Sequence, residues 1–226
     1  MGRLIVIEGL DGCGKSTQLR LLAARLQDEG VKVKTVSFPD YDAPSCAPVK
    51  MYLAGAFGTR PGDVNPYAAS SFYAVDRFSS YKRNWEEFYK DGGVVVCGRY
   101  VTSNAVHQCS KLPEGEMHAF MDWLADYEYD RIGIPRPDLV VYLDMPNEFS
   151  SALMESRYGG DESKKDIHEK DEKYRAACRK SAEFAAKKWG WVKVNCVKDQ
   201  KVRDRGDIAE EIYGLVSKFL MGENYR

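Results

Sequence analysis

At 226 residues with 44% hydrophobic side chains, the chain is long enough to bury one full core, and its net charge of −1 gives no overall field to draw it to nucleic acid or an anionic membrane. No apolar run approaches the roughly 18 residues that span a bilayer, and Met1-Gly2-Arg3 leads straight into a strand rather than a signal peptide. Six scattered cysteines without a C-x-x-C pair read as reduced core thiols. The expectation is an intact, cytoplasmic, single-domain protein with neither a nucleic-acid nor a membrane partner.

In chain order, Leu4 to Glu8 reads as a buried strand, followed by a glycine-rich turn and a helix built on Leu19, Leu22, Ala23 and Leu26 that stops at Gly30. Val33 to Phe38 is the second strand. A long helix is predicted from Asn65-Pro66, with Asn as cap and Pro in the first turn, through to Asp91 before Gly92-Gly93. Val94 to Cys97 and Leu139 to Leu143 are the third and fourth strands. Asn147, after Pro146, is expected to cap a helix ending near Arg157-Tyr158. Tyr158 to Lys165 is a polar, glycine-containing break between helices, and Val192 to Cys196 is the fifth strand. Short apolar runs alternating with long amphipathic segments predict an α/β fold, a five-stranded parallel sheet covered by helices on both faces.

The turn after the first strand reads Gly9-Leu10-Asp11-Gly12-Cys13-Gly14-Lys15-Ser16-Thr17, an unbroken G-x-x-x-x-G-K-[ST] pattern in the strand-loop-helix context it requires. Its glycines free backbone N–H groups to cradle a polyphosphate at the positive end of the following helix. Lys15 is placed to reach the outer phosphates and the Ser16 hydroxyl to ligate Mg²⁺. This pattern alone leaves ATPases, GTPases and kinases open. No Asn-Lys-x-Asp guanine-reading motif is present, which argues against a GTPase. Phe38-Pro39-Asp40-Tyr41 and Gly98-Arg99-Tyr100 follow the second and third strands, where ligands gather in open α/β sheets. Two phosphate-handling places on one small domain point to a donor and an acceptor.

The ordered series formed by the loop, Phe38-Pro39, Tyr73-x-x-x-Arg77, Arg99-Tyr100-Val101-Thr102-Ser103-Asn104 and Pro137-Asp138-Leu139-Val140-Val141-Tyr142-Leu143-Asp144 resembles the thymidylate kinase family over nearly the whole chain. The resemblance implies a P-loop NTPase fold with a mobile lid at about residues 157–167, transfer of the γ-phosphoryl group of ATP to dTMP, and a homodimer. It places Asp11 close to the acceptor phosphate and sugar, and Asn104 at the pyrimidine ring. His107 is a candidate for the sugar side.

Each role has a physical basis and a competing one. Arg99, with its planar fork at a strand end, suits an acceptor phosphate bridged to the donor; otherwise it is a solvated surface arginine. Tyr73 and Arg77 share a helix face that offers a ring to stack on a base and a guanidinium for its carbonyl edge or the acceptor phosphate. Alternatively, Tyr73 belongs to a core stripe with Phe72 and Tyr81. The family places a catalytic arginine in the loop or in the lid. The loop position here is Gly12, so the resemblance assigns the cation to Arg157, Lys164 or Lys165, with Arg157 favoured. Asp166 and Glu169 resemble the family's D-x-x-E after the lid, although acids at a helix start explain them equally well. His118 and His168 have no spacing partners for a metal.

Two departures stand out. Gly98 occupies the place of the Asp that the family usually has before the Arg-Tyr pair, so the resemblance implies either a lowered activity or that its job of orienting Mg²⁺ water or the neighbouring arginine falls to Asp11 and Glu8, and Asp40 stands where many relatives have a basic residue. A kinase for another deoxynucleotide and a non-catalytic nucleotide-binding relative are the alternative readings. Deoxynucleoside kinases carry Glu-Arg-Ser where this chain has Gly98-Arg99-Tyr100.

Overall fold

The first strand, β1 (Arg3–Gly9), is apolar on both faces because both faces are covered. Leu4 and Val6 point into one core layer, Ile5 and Ile7 into the other, and all four are fully buried. Burial of four such side chains contributes roughly 6–12 kcal/mol in gross transfer terms. The computed structural model describes residues 1–158 and 171–224.

Around β1 lie β2 (Val33–Ser37), β3 (Val94–Gly98), β4 (Leu139–Asp144) and β5 (Val192–Asn195), all parallel, in the order β2-β3-β1-β4-β5. The five expected strands are therefore present, each within a residue or so of its expected ends. One layer packs α1 (Lys15–Asp28) and α9 (Arg205–Met221) through Leu22, Leu26, Ile208, Ile212 and Val216. The other packs α5 (Val101–His107), α6 (Glu114–Ala125) and α8 (Glu172–Trp189) through Val101, Phe120 and Cys178. The remaining helices are α2 (Ala47–Leu53), α3 (Pro66–Ser80), α4 (Glu86–Lys90) and α7 (Asn147–Tyr158). Asp138, ahead of β4, accepts from the Leu4 N–H at 2.8 Å and pins the start of β4 to β1.

Two expectations need correction, and one element is new. The helix predicted from Asn65 to Asp91 starts as expected, with Asn65 Oδ1 accepting from the Ala68 N–H at 2.8 Å, but it is not one α-helix. A π-helical turn over Tyr81–Trp85 separates α3 from α4. Tyr81, Trp85 and Tyr89 are all buried at four-residue spacing, which drifts by about 40° per step on an α-helix, and the wider turn keeps the three rings on one core. Asn147 does not cap α7. It is the first helical residue, and Pro146, whose carbonyl accepts from Phe149 and Ser150, stands in the cap position. A small antiparallel hairpin, β6 (Val197–Lys198) with β7 (Lys201–Val202), follows β5 through left-handed Asp199 and Gln200, and periodicity gives no hint of so short a pair. All six cysteines are buried free thiols.

Candidate active site

The phosphate loop joins β1 to α1. Gly14 caps α1 with φ 91°, and the helix opens on Lys15, turning its unpaired N–H groups and positive end into a cleft at the carboxyl ends of β1, β2 and β3. The Lys15 ammonium donates to the carbonyls of Gly9 at 2.8 Å and Leu10 at 2.7 Å. Ser16 and Thr17 line the cleft wall, whereas the Leu10 and Cys13 side chains are buried, so those positions and Gly9 offer backbone only. Gly12 adopts φ 80°, and a Cβ built on it would lie 2.4 Å from the Ser150 carbonyl oxygen of α7. Helix α7 is packed against the loop there, so residue 12 has no room for a cationic side chain.

Arg99 follows β3 with φ 61°, a left-handed conformation that costs a non-glycine residue about 1–2 kcal/mol. Its guanidinium forms an ion pair with Asp11 and lies 3.0 Å from His107 Nε2 and 3.5 Å from Ser103 Oγ. Arginine can only donate, so His107 Nε2 is the acceptor and the ring proton sits on Nδ1, which lies 3.6 Å from Cys178 Sγ. Burial opposes the Arg99 charge, but the Asp11 and Glu8 carboxylates outweigh it and hold the guanidinium above its ordinary value.

Glu8, fully buried, accepts from the Gly9 N–H at 2.9 Å, the Thr102 hydroxyl at 2.6 Å and the Ser103 hydroxyl at 2.8 Å. It clamps the loop to α5 through both oxygens, and its charge adds to that of Asp11 on Arg99. Among the described residues, Asp11 is the acid that lines the cleft.

The far end of the cleft is built by α3 and α5. Tyr73 lines it with its ring edge-on to Tyr52, at 89° and 6.5 Å; Phe72 packs on Tyr52 and Phe57, and Tyr81 joins the core with Trp85. Arg77 is 1% exposed, which rules out the solvated reading. Its Nε and Nη2 donate to Glu128 at 2.7 and 2.6 Å, and its Nη1 donates to the Tyr100 carbonyl at 3.3 Å. Burial pulls the Arg77 guanidinium down, and the Glu128 charge more than restores it, leaving it above its usual value. Asn104 Nδ2 donates to the Ser70 carbonyl at 3.4 Å and to Glu128 at 3.2 Å. With both of its N–H groups engaged inside the protein, Asn104 has only its Oδ1 left to offer the cleft.

Gln108, absent from the sequence reading, is fully buried on the cleft wall with both amide atoms unpartnered. It stands four residues after Asn104, the same spacing that linked Tyr73 to Arg77, and that periodicity was the available signal. Phe38, Pro39 and Tyr41 line the cleft from the loop after β2. Asp76 anchors that loop, accepting from the Asp40 N–H at 2.8 Å and the Ser45 hydroxyl at 2.9 Å. The Arg157 backbone belongs to α7, and Lys164, Lys165, Asp166, His168 and Glu169 lie outside the described residues.

The cleft encloses about 780 Å³ and runs from the phosphate loop past Arg99 to Arg77, Asn104 and Gln108. A phosphate loop at one end of a shared cleft and a polar, buried recess at the other define a P-loop phosphotransferase with donor and acceptor sides. Comparison with known proteins makes this specific. The family model for thymidylate kinase matches residues 7–204. Thymidylate kinase from Mycobacterium tuberculosis (strain ATCC 25618 / H37Rv) is 31% identical over 191 residues, covering 83% of this chain and 87% of its own. The Schizosaccharomyces pombe thymidylate kinase is 31% identical over 144 residues, 64% of this chain and 61% of its own. A solved thymidylate kinase structure from Candida albicans shares the fold with a TM-score of 0.71 at 20% identity, across 97% of this chain and 92% of that one. The chain belongs to the thymidylate kinase family, whose members are ATP-dependent nucleoside monophosphate kinases.

Proposed function

We propose that this chain transfers the γ-phosphoryl group of ATP to dTMP, giving dTDP and ADP, as a single kinase domain. The observation that carries the reading is the continuous cleft, with the phosphate loop at one end and Tyr73, Arg77, Asn104 and Gln108 at the other. In this reading Lys15 exchanges the Gly9 and Leu10 carbonyls for donor phosphates. Arg99 turns its fork to the acceptor phosphate, and Asp11 takes up a proton or a hydroxyl at the acceptor side. Tyr73 stacks on the base, Arg77 donates to its 4-carbonyl, and the unpartnered Gln108 amide completes the edge. Catalysis is then alignment of two polyanions plus cations placed where charge develops. A coupled ADP-release assay with dTMP, dUMP, dCMP and dGMP tests it, with dTMP giving the highest kcat/KM. Turnover confined to another nucleotide would reassign the acceptor, and no turnover with any would make the chain a nucleotide-binding relative.

The residues fit a magnesium ion. The Ser16 hydroxyl and the Asp11 carboxylate both line the cleft, and one or two such oxygens together with phosphate oxygens and water form the set magnesium accepts. Held by the Ser16 hydroxyl and the Asp11 carboxylate, the ion would supply positive charge against the phosphates. The acid missing at Gly98 would belong to this neighbourhood. A Cβ at Gly98 would lie 3.0 Å from Leu19 Cδ1, 3.2 Å from Ser37 Oγ and 3.7 Å from Ser37 Cβ, side-chain atoms that need to give by only a few tenths of an ångström. Gly98→Asp is expected to raise kcat or lower the Mg²⁺ requirement several-fold, read from a magnesium titration of turnover. No change, with brisk wild-type turnover, would show that Asp11 already suffices.

Because Gly12 leaves no room for a loop arginine, the reading draws the remaining cation from a lid at about residues 157–167. Arg157 lies seven residues beyond Ser150, two turns along the helix that abuts Gly12. Arg157→Ala should lower kcat by about a hundredfold while moving either KM by only a few-fold, the pattern of an interaction made in the transition state. An unchanged kcat would pass the task to Lys164 or Lys165. Asp166 and Glu169 approach the acceptor nucleotide in the same reading. We further read the protein as a cytoplasmic homodimer. No described helix is long and apolar enough to cross a membrane, and Met51, Val75 and Phe78, on α2 and α3, are 40–50% exposed apolar side chains. Light scattering in solution checks the dimer.

A further inference from the structure

Glu128 lies in a π-helical turn, Asp126–Arg131, that extends α6, and its side chain is completely buried. It does not line the cleft. Its two oxygens accept three hydrogen bonds, two from Arg77 and one from Asn104, and both of those residues do line it. A buried carboxylate standing directly behind two neighbouring side chains of the acceptor recess decides what those side chains have left to offer.

For Asn104 the outcome is forced. The Ser70 carbonyl and the Glu128 carboxylate are both acceptors, so only the Nδ2 end of the amide can face them, and Oδ1 remains as its free hydrogen-bonding atom. For Arg77, three of five N–H groups are spent on Glu128 and Tyr100, leaving one on each Nη. The pair therefore offers an acceptor from Asn104 beside donors from Arg77. A 2,4-dioxopyrimidine presents the complement, an N3–H donor next to an O4 acceptor. Cytosine presents the reverse, a bare N3 next to an N4 amine, and would set lone pair against lone pair and N–H against N–H. Gln108 imposes no such polarity, because its unpartnered amide can turn either way.

We infer that Glu128 is a positioning residue that fixes the donor and acceptor polarity of the base-reading wall, selecting a 2,4-dioxopyrimidine nucleotide over its cytosine counterpart. This rests on the acceptor reading given above and deepens it. The π-helical turn is the device that directs Glu128 fully inward between Tyr127 and Tyr129, the latter stacked on Tyr100. With Gln at 128 an N–H replaces one of the oxygens, so Arg77 loses its charge partner and the orientation of the Asn104 amide is held by the long bond to the Ser70 carbonyl alone.

The test is equilibrium binding by calorimetry of dTMP, dCMP and ATP to wild type, Glu128→Gln and Glu128→Asp. The preference of wild type for dTMP over dCMP should shrink at least tenfold in Glu128→Gln and by less in Glu128→Asp, while ATP affinity stays within about twofold in each. A structural role alone would weaken dTMP and dCMP together and leave their ratio constant. An unchanged ratio in Glu128→Gln overturns the inference. If that variant does not fold, an unchanged ratio in Glu128→Asp does the same. Failure of wild type to bind dTMP would instead overturn the acceptor reading, and this inference with it.

Discussion

Replacing Lys15 with alanine is expected to leave a folded protein whose kcat has fallen by about three powers of ten or more. The side chain is only partly buried and bonds two carbonyls of its own loop, so little of the fold depends on it. Its ammonium is the group at the mouth of α1 able to follow negative charge as it spreads over the transferring phosphoryl, and removing a preorganised stabiliser of that kind costs factors of this size. Coupled ADP release gives the rate, and a thermal melt confirms the fold. Turnover within tenfold of wild type would exclude Lys15 from the chemistry.

Arg99→Gly should show an equally large loss with a melting temperature near or above that of wild type. Glycine takes φ 61° without strain, so the variant removes the cation and the backbone cost together. What is lost is the fork between Asp11 and His107. A fall of about a thousandfold in kcat/KM for the nucleotide acceptor is expected, from the combined loss of binding and of charge stabilisation. Arg99→Ala, strained at the same φ, should match it in rate but melt lower, which separates the backbone contribution from the chemical one. A kcat/KM within tenfold of wild type in Arg99→Gly would return Arg99 to a structural role.

Much of this was legible in the chain. Strands buried on both faces read as continuous apolar runs, and β1, β3 and β4 announced themselves through Leu4 to Ile7, Val94 to Cys97 and Leu139 to Leu143. The loop and Arg99 were found because phosphate chemistry narrows the choice of residue at a strand end. Less legible were groups whose importance lies in what stands behind them. Glu128 is one acid in an aromatic and acidic stretch, Tyr127-Glu128-Tyr129-Asp130, and only tertiary packing separates it from the half-exposed Asp130. Glu8 looked available for magnesium because its hydroxyl partners, Thr102 and Ser103, come from more than ninety residues along. The π-helical turns were invisible for a related reason: their backbone matches an α-helix in composition and departs from it only where packing demands a wider turn.

The central place of β1 has a consequence for synthesis. The strand both core layers share is made before its partners, which are β3, beginning at Val94, and β4, beginning at Leu139. Until those residues are made, Leu4 to Ile7 has bare edges on both sides, and although α1 can already cover the Ile5 and Ile7 face, the helices that cover Leu4 and Val6 are still missing. Neither half of the sheet can form ahead of the other without it, so the protein must close long loops before it gains most of its stability. A nascent chain halted between β3 and β4 would carry an apolar strand with one unpaired edge, the state most prone to joining another chain instead of its own.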